Sequence, residues 1–140
     1  MKICITSQGT SLNSLVDPRF GRCSHFIFIE NGAKEFYSVP NPGVSMIRGA
    51  GISAAQTVIN EGAEVVITGN MGPNAFLVLN QSGVKVYFVP QIVSCAKALE
   101  MFQKGELKEA KAPRRGGFGW GFGGGFRGRF GWGWRWRNDM

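Results

Sequence analysis

A single histidine, His25, and three widely spaced cysteines, Cys4, Cys23 and Cys95, deny this 140-residue chain the ligand sets of a structural zinc site or a CxxC redox pair. An odd number of cysteines without close spacing favours reduced thiols over a disulfide framework. A Ser-His-Asp or Cys-His-Asn relay would have to be built on His25 alone, for which the sequence places no partner. Acids are scattered: Asp17 lies beside arginines, Glu30 ends a strand, and Glu100, Glu106 and Glu109 belong to a solvated helix and its exit. A two-metal nuclease needs clustered carboxylates, so that chemistry is not expected. No apolar run approaches the roughly 20 residues that span a bilayer, and residues 1–6 are too short and too β-branched for a signal-peptide core. The expectation is a soluble cytoplasmic protein without catalytic activity.

What is present divides near Pro113. Residues 1–112 have the composition of a globular α/β domain, with ten Lys or Arg against eight Asp or Glu. Residues 113–140 hold 10 of the 21 glycines, all four tryptophans and four of the 11 phenylalanines, and carry six arginines against Asp139. The basic balance therefore belongs mostly to a low-complexity tail, too glycine-rich to fold alone and expected to be disordered. Arginines interleaved with aromatic rings would let it contact single-stranded nucleic acid or an anionic membrane surface, or stick to itself.

Along the domain, residues 2–6 read as a β-branched strand running into a polar loop. Residues 26–30 and 34–39 flank Asn31-Gly32-Ala33 and read as a hairpin. Residues 52–60 take helical spacing, with Ile52, Ala55 and Ile59 on one face, and Gly62 closes that helix. A strand through Val65, Val66 and Ile67 precedes a second helix that begins near Pro73 and packs Ala75, Phe76 and Leu79. A strand through residues 84–89 and a third helix over 92–104, packing Val93, Ala96 and Leu99, complete the domain. This order calls for a mixed sheet with helices on its faces.

Two stretches carry chemistry. Thr68-Gly69-Asn70-Met71-Gly72-Pro73-Asn74-Ala75 breaks a buried strand into a glycine-bearing turn that restarts as a helix, with Pro73 in its first turn. Unpaired amides at such a helix start can hold an anion; the plain alternative is a tight connection with nothing bound. No lysine follows as in a P-loop, so a nucleoside triphosphate lacks its main cation. Gly49-Ala50-Gly51-Ile52-Ser53-Ala54 has dinucleotide-fingerprint spacing, but no strand precedes it and Met71, not an acid, stands about 20 residues on. The second stretch, Arg19-Phe20-Gly21-Arg22-Cys23 with His25 beyond, brings together cations, a thiol and an imidazole. Cys23 and His25 are candidate metal ligands, against the alternative of a half-buried thiol and a surface histidine. Cys4 and Cys95 read as small buried hydrophobes.

Asp17-Pro18-Arg19-Phe20-Gly21-Arg22-Cys23 before a hairpin, Asn41-Pro42-Gly43 and Gly49-Ala50-Gly51 before a helix, and Thr68 onward before another resemble, in this order, the dinitrogenase iron-molybdenum cofactor biosynthesis family. These are the small NifX-like and NifB-C-terminal-like domains, and the likeness runs through about residues 1–110. The resemblance implies a ribonuclease-H-like α/β fold with a mixed five-stranded sheet, and non-catalytic binding or carriage of an iron-sulfur or molybdenum-containing cluster. Some relatives carry an oxyanionic molybdenum-copper-sulfide cluster, and stand-alone members occur outside nitrogen fixers. Carried onto this chain, it implies a cluster site at Arg19, Phe20, Gly21 and Arg22 together with Gly69, Asn70, Gly72, Pro73 and Asn74. Cluster-assembly or recipient proteins are the implied partners. The alternative for Arg22 is a salt bridge to Asp17 or Glu30.

Overall fold

The computed structural model describes residues 1–114. The expected disorder and the nucleic-acid or surface contacts of the tail fall on residues 115–140, outside the described residues. Five strands, β1 (Lys2–Ser7), β2 (His25–Glu30), β3 (Phe36–Pro40), β4 (Val65–Thr68) and β5 (Lys85–Phe88), form one sheet in the order β3-β2-β1-β4-β5. The hairpin partners β2 and β3 are antiparallel, as are β1 and β2, while β1, β4 and β5 run parallel. The mixed sheet is the expected one and is compatible with the ribonuclease-H-like label. Among the described residues no helix is long and apolar enough to cross a membrane.

The helices α1 (Ala50–Asn60), α2 (Pro73–Gln81) and α3 (Cys95–Gln103) cover both faces. Strand alternation sorts the core accordingly. Cys4, Phe26, Phe28, Val66 and Val86 meet α1 and α2, whereas Ile3, Ile5, Ile27, Ile29 and Ile67 meet α3. Burial on both faces explains why β1 and β4 read as unbroken apolar runs.

Two expected details differ. On α1 the buried face is Ala50, Ala54, Ala55 and Val58, while Ile52 is 42% exposed and Ile59 only partly covered. The reason is close approach: a Cβ on Gly21, in the 3-10 turn Phe20–Arg22, would lie 2.9 Å from the Gly51 Cα, so the buried side of this helix takes small residues. The third helix starts at Cys95 rather than at residue 92, because the preceding residues are used as extended backbone. Val16 N donates to Val93 O, Leu15 bridges Ser94, and the Ser94 hydroxyl then caps the helix by accepting from Lys97 N. Ala96, expected in the core, is exposed; Cys95, Ala98 and Leu99 are buried instead.

Parallel β1, β4 and β5 end at one edge of the sheet. The chain segments that leave them, and the start of α1, gather there, the usual place for a ligand in an α/β domain.

Candidate functional site

The loop after β1 and the turn after β4 are joined by main-chain bonds. Asn70 N donates to Pro18 O at 2.6 Å, Phe20 N donates to Asn70 O at 3.2 Å, and Arg19 forms a parallel bridge with Asn70. Beneath them, the fully buried Thr6 hydroxyl donates to Asp17 O at 2.7 Å and lies 2.8 Å from the Thr68 hydroxyl. These two hydroxyls satisfy each other and the loop backbone in a place that water does not reach. The two stretches singled out in the sequence are therefore neighbours.

Between them lies a cleft of about 410 Å³ lined by residues 19–21, 49–52, 70–75 and Arg114. Both α1 and α2 begin at its wall, and neither has a capping side chain. Gly49 precedes α1 with φ of 74°, a left-handed conformation that favours glycine. Gly72 precedes α2 with φ of −72° and ψ of 169°, which any residue adopts, and a Cβ there would meet nothing within 4 Å. Glycine at 72 is thus not required by the turn, contrary to the reading of the sequence. Its effect is to leave the space over the first turn of α2 open.

Arg19 stands at the cleft with its side chain 66% exposed. Its Nε and Nη2 donate to the two oxygens of Asp17, each at 3.2 Å, and Asp17 also accepts from Arg19 N at 3.0 Å. Asp17 is buried, so this fork-to-fork pair fixes where the guanidinium sits; the carboxylate also holds the Arg19 pKa above its ordinary value. Phe20 is 2% exposed and packs on Phe26, anchoring the 3-10 turn in the core.

Arg22 does something else. Its guanidinium donates to the carbonyls of Gly43, Met46 and Ile47, propping the loop that leads into α1, and it does not line the cleft. The alternative of a salt bridge to Asp17 or Glu30 does not form either: Asp17 holds Arg19, and Glu30 pairs with the N-terminus. Asn41 completes the prop, accepting from Gly43 N and donating to Gly21 O and Cys23 O.

Cys23 and His25 are not brought together at the cleft. Cys23 is buried among Phe20, Phe26 and Asn41, and burial pushes its thiol far up. His25 has the strand parity of Ile27 and Ile29, and its Nδ1 lies 2.7 Å from the Ser24 hydroxyl. Among the described residues no group of three or more His, Cys, Asp or Glu side chains could hold a metal ion.

Arg114 is the site residue that sequence reasoning missed, because composition placed it in the tail. Residues 106–114 return along the sheet edge: Ala110 N donates to Val86 O, Glu109 bridges Tyr87, and Arg114 exchanges two main-chain bonds with Met71. The guanidinium donates to Gly69 O and Val89 O and lies 4.7 Å over the Phe88 ring. Burial lowers its pKa to about 10, so it remains charged at neutral pH. Buried Leu107 and partly buried Ala110 are the apolar residues that tie this return to the core.

The dinitrogenase iron-molybdenum cofactor family model matches residues 1–105. The chain belongs to this family. An uncharacterised protein of Methanocaldococcus jannaschii is 32% identical over 100 residues, spanning 69% of this chain and 84% of that one. Among solved structures, the apo form of the orange protein from Desulfovibrio gigas has a TM-score of 0.78 and 35% identity, covering 81% of this chain and 96% of its own. A putative NifB protein from Thermotoga has a TM-score of 0.71 and 32% identity, covering 81% and 97%. The family's ligand class is a metal-sulfur cluster related to the iron-molybdenum cofactor. The cleft suits such a cargo as an anion: it presents Arg19 and two bare helix starts, with neither thiol nor imidazole in its lining.

Proposed function

We propose that this protein binds and carries a preassembled, anionic iron- or molybdenum-containing metal-sulfur cluster in the cleft, and that it is a carrier rather than a catalyst. The observation that carries the reading is that two helices without side-chain caps open onto one cleft beside Arg19. Cluster sulfides or oxo groups would accept from first-turn amides of α1 and α2, and the Arg19 fork, held by Asp17, would supply charge. Of the family-implied residues, Arg19, Gly21, Asn70, Gly72, Pro73 and Asn74 form the contact surface. Phe20 anchors that surface, Gly69 belongs to the turn braced by Arg114, and Arg22 acts through the loop it props. Cys23 and His25 serve the fold in this reading. Cluster-assembly or recipient proteins in the cytoplasm are the partners a carrier requires.

The test is anaerobic reconstitution with iron, sulfide and molybdate, or with tetrathiomolybdate, followed by metal analysis of the desalted protein. Uptake is expected for the native chain and for Cys23→Ser. Arg19→Ala should weaken it about tenfold or more, the worth of one charge-assisted hydrogen-bonded contact. A protein that stays metal-free under all these conditions refutes the reading. Equal uptake by Arg19→Ala refutes the site.

A further inference from the structure

Residues 106–114 follow the family-matched residues 1–105 and run along the outer edge of β5. They are pinned to the domain at separated points. Leu107 is buried, Ala110 packs on the core and donates its N–H to Val86 O at 2.7 Å, and Glu109 bridges Tyr87. Lys111, Ala112 and Pro113 are then exposed, and the chain is next pinned at Arg114. A segment held at a few points, with exposed residues between them, opens locally at less cost than the core strands beside it.

The second pin belongs to the cleft. Arg114 Nε and Nη2 donate to Gly69 O at 3.1 and 2.9 Å, and Nη2 donates to Val89 O at 3.0 Å, so one guanidinium ties the exits of β4 and β5. The Gly69–Asn70 peptide unit is gripped from both sides, its carbonyl by Arg114 and its N–H by Pro18 O at 2.6 Å. Asn70 O accepts from Phe20 N, and Met71 exchanges two main-chain bonds with Arg114 at 2.6 and 2.9 Å. Every main-chain group from Gly69 O to Met71 O is therefore engaged, and α2 starts just beyond, at Pro73. Residue 114 thus takes part in aiming the start of α2 at the cleft.

We propose that residues 106–114 are a strap coupled to the cargo, with Arg114 as its positioning residue. Seated, the strap holds the 69–72 turn in the shape that receives an anion; a bound anion in turn holds the strap down. The inference rests on the cluster reading above and adds a means of release, since whatever lifts the strap loosens the cargo. Two physical effects link them. The first is aim: hydrogen bonds from the first-turn amides of α2 weaken steeply once the turn that orients them shifts. The second is charge: the Arg114 guanidinium lines the cleft, contributes to the field an anion meets there, and departs with the strap. Linkage makes the strengthening equal in both directions.

Hydrogen exchange of the full chain measures the coupling, because Ala110 belongs to the strap and does not line the cleft. Saturating tetrathiomolybdate should slow exchange of the Ala110 amide about tenfold. The Ala33 amide, in the exposed hairpin turn at the other end of the sheet, should keep its rate. Ala110→Pro removes the bond to Val86 O without altering the cleft lining, and should weaken tetrathiomolybdate binding about fivefold or more, the order of one hydrogen bond. Arg114→Gln should weaken it about tenfold or more and abolish the slowing at Ala110. A strap that served the fold alone would exchange at one rate with and without cargo. Unchanged exchange at Ala110 in a native chain that binds tetrathiomolybdate, or native affinity in a folded Ala110→Pro chain, would overturn the coupling and leave the carrier reading standing. Should Ala110→Pro fail to fold, exchange in the native chain decides the matter. If no chain takes up tetrathiomolybdate, the carrier reading falls and the coupling with it.

Discussion

The start of α3 and the starts of α1 and α2 treat the same chemical problem in opposite ways. At α3 the Ser94 hydroxyl accepts from Lys97 N at 3.1 Å, and Cys95 N and Ala96 N donate to the carbonyls of Ser14 and Leu12. That end is closed. Gly49 and Gly72 stand at the corresponding positions of α1 and α2, provide no side-chain acceptor, and leave both helices facing the cleft. A helix start left uncapped costs stability, because capping side chains there typically contribute about 1 kcal/mol. The fold therefore gives up stability where the cleft is and recovers it on the other face of the sheet.

The largest expected effect comes from closing an open start. Gly72→Asp would place a carboxylate at the N-cap of α2, where backbone geometry accepts any residue and no atom obstructs the new Cβ. Thiometallate uptake, followed by equilibrium dialysis, should drop about a hundredfold because the new anion takes the cargo's place. Thermal unfolding of the same variant should show a gain of a few tenths of a kcal/mol. Loss of both binding and stability would mean that Gly72 is structural after all.

Gly21→Ala probes the packing that brings the two open starts together. Its Cβ would press on Gly51 backbone at 2.9 Å, so urea unfolding should show a loss of about 1–3 kcal/mol. Opening the closed start is the reciprocal experiment. Ser94→Ala should cost about 1 kcal/mol in the same assay while metal uptake stays at the native level.

The smallest effect concerns Cys95, the first residue of α3. A thiol at a helix start is ordinarily acidified, yet burial pushes this one up, as it does Cys4 and Cys23. A thiol reagent at neutral pH should leave all three untouched in the native protein and modify all three in denaturant. The folded-state shifts are upward, so the stability they contribute is fully present below the unfolded thiol value of about 8.5 and declines as pH rises past it. Urea midpoints across that range would register the decline.

The strand, turn and helix from Val65 to Gln81 were legible because β-branched residues, glycines and a proline all point the same way there. The family resemblance implied one site at Arg19 and the Gly72 turn without saying how they meet, and the parallel pairing of β1 with β4 is what puts both at one sheet edge. Three features were hidden. The buried face of α1 is made of alanines, which periodicity weighs less than Ile52 and Ile59 although close helix approach demands them. Residues 92–94 have helical apolar spacing but are held extended by Leu15 and Val16, a long-range pairing that no local pattern reports. The two arginines of Arg19-Phe20-Gly21-Arg22 look equivalent in sequence, yet the intervening 3-10 turn sends one to the cleft and the other to the carbonyls of the 42–47 loop.

The parallel bridge between Arg19 and Asn70 joins the two walls of the cleft through main-chain atoms. Side chains hung on such a joint can be exchanged without moving it, as a jig holds its dimensions whatever tool is fitted. Changes at positions 52, 70 or 74 would then alter what the pocket prefers, in size, charge or softness, while its outline stays in place.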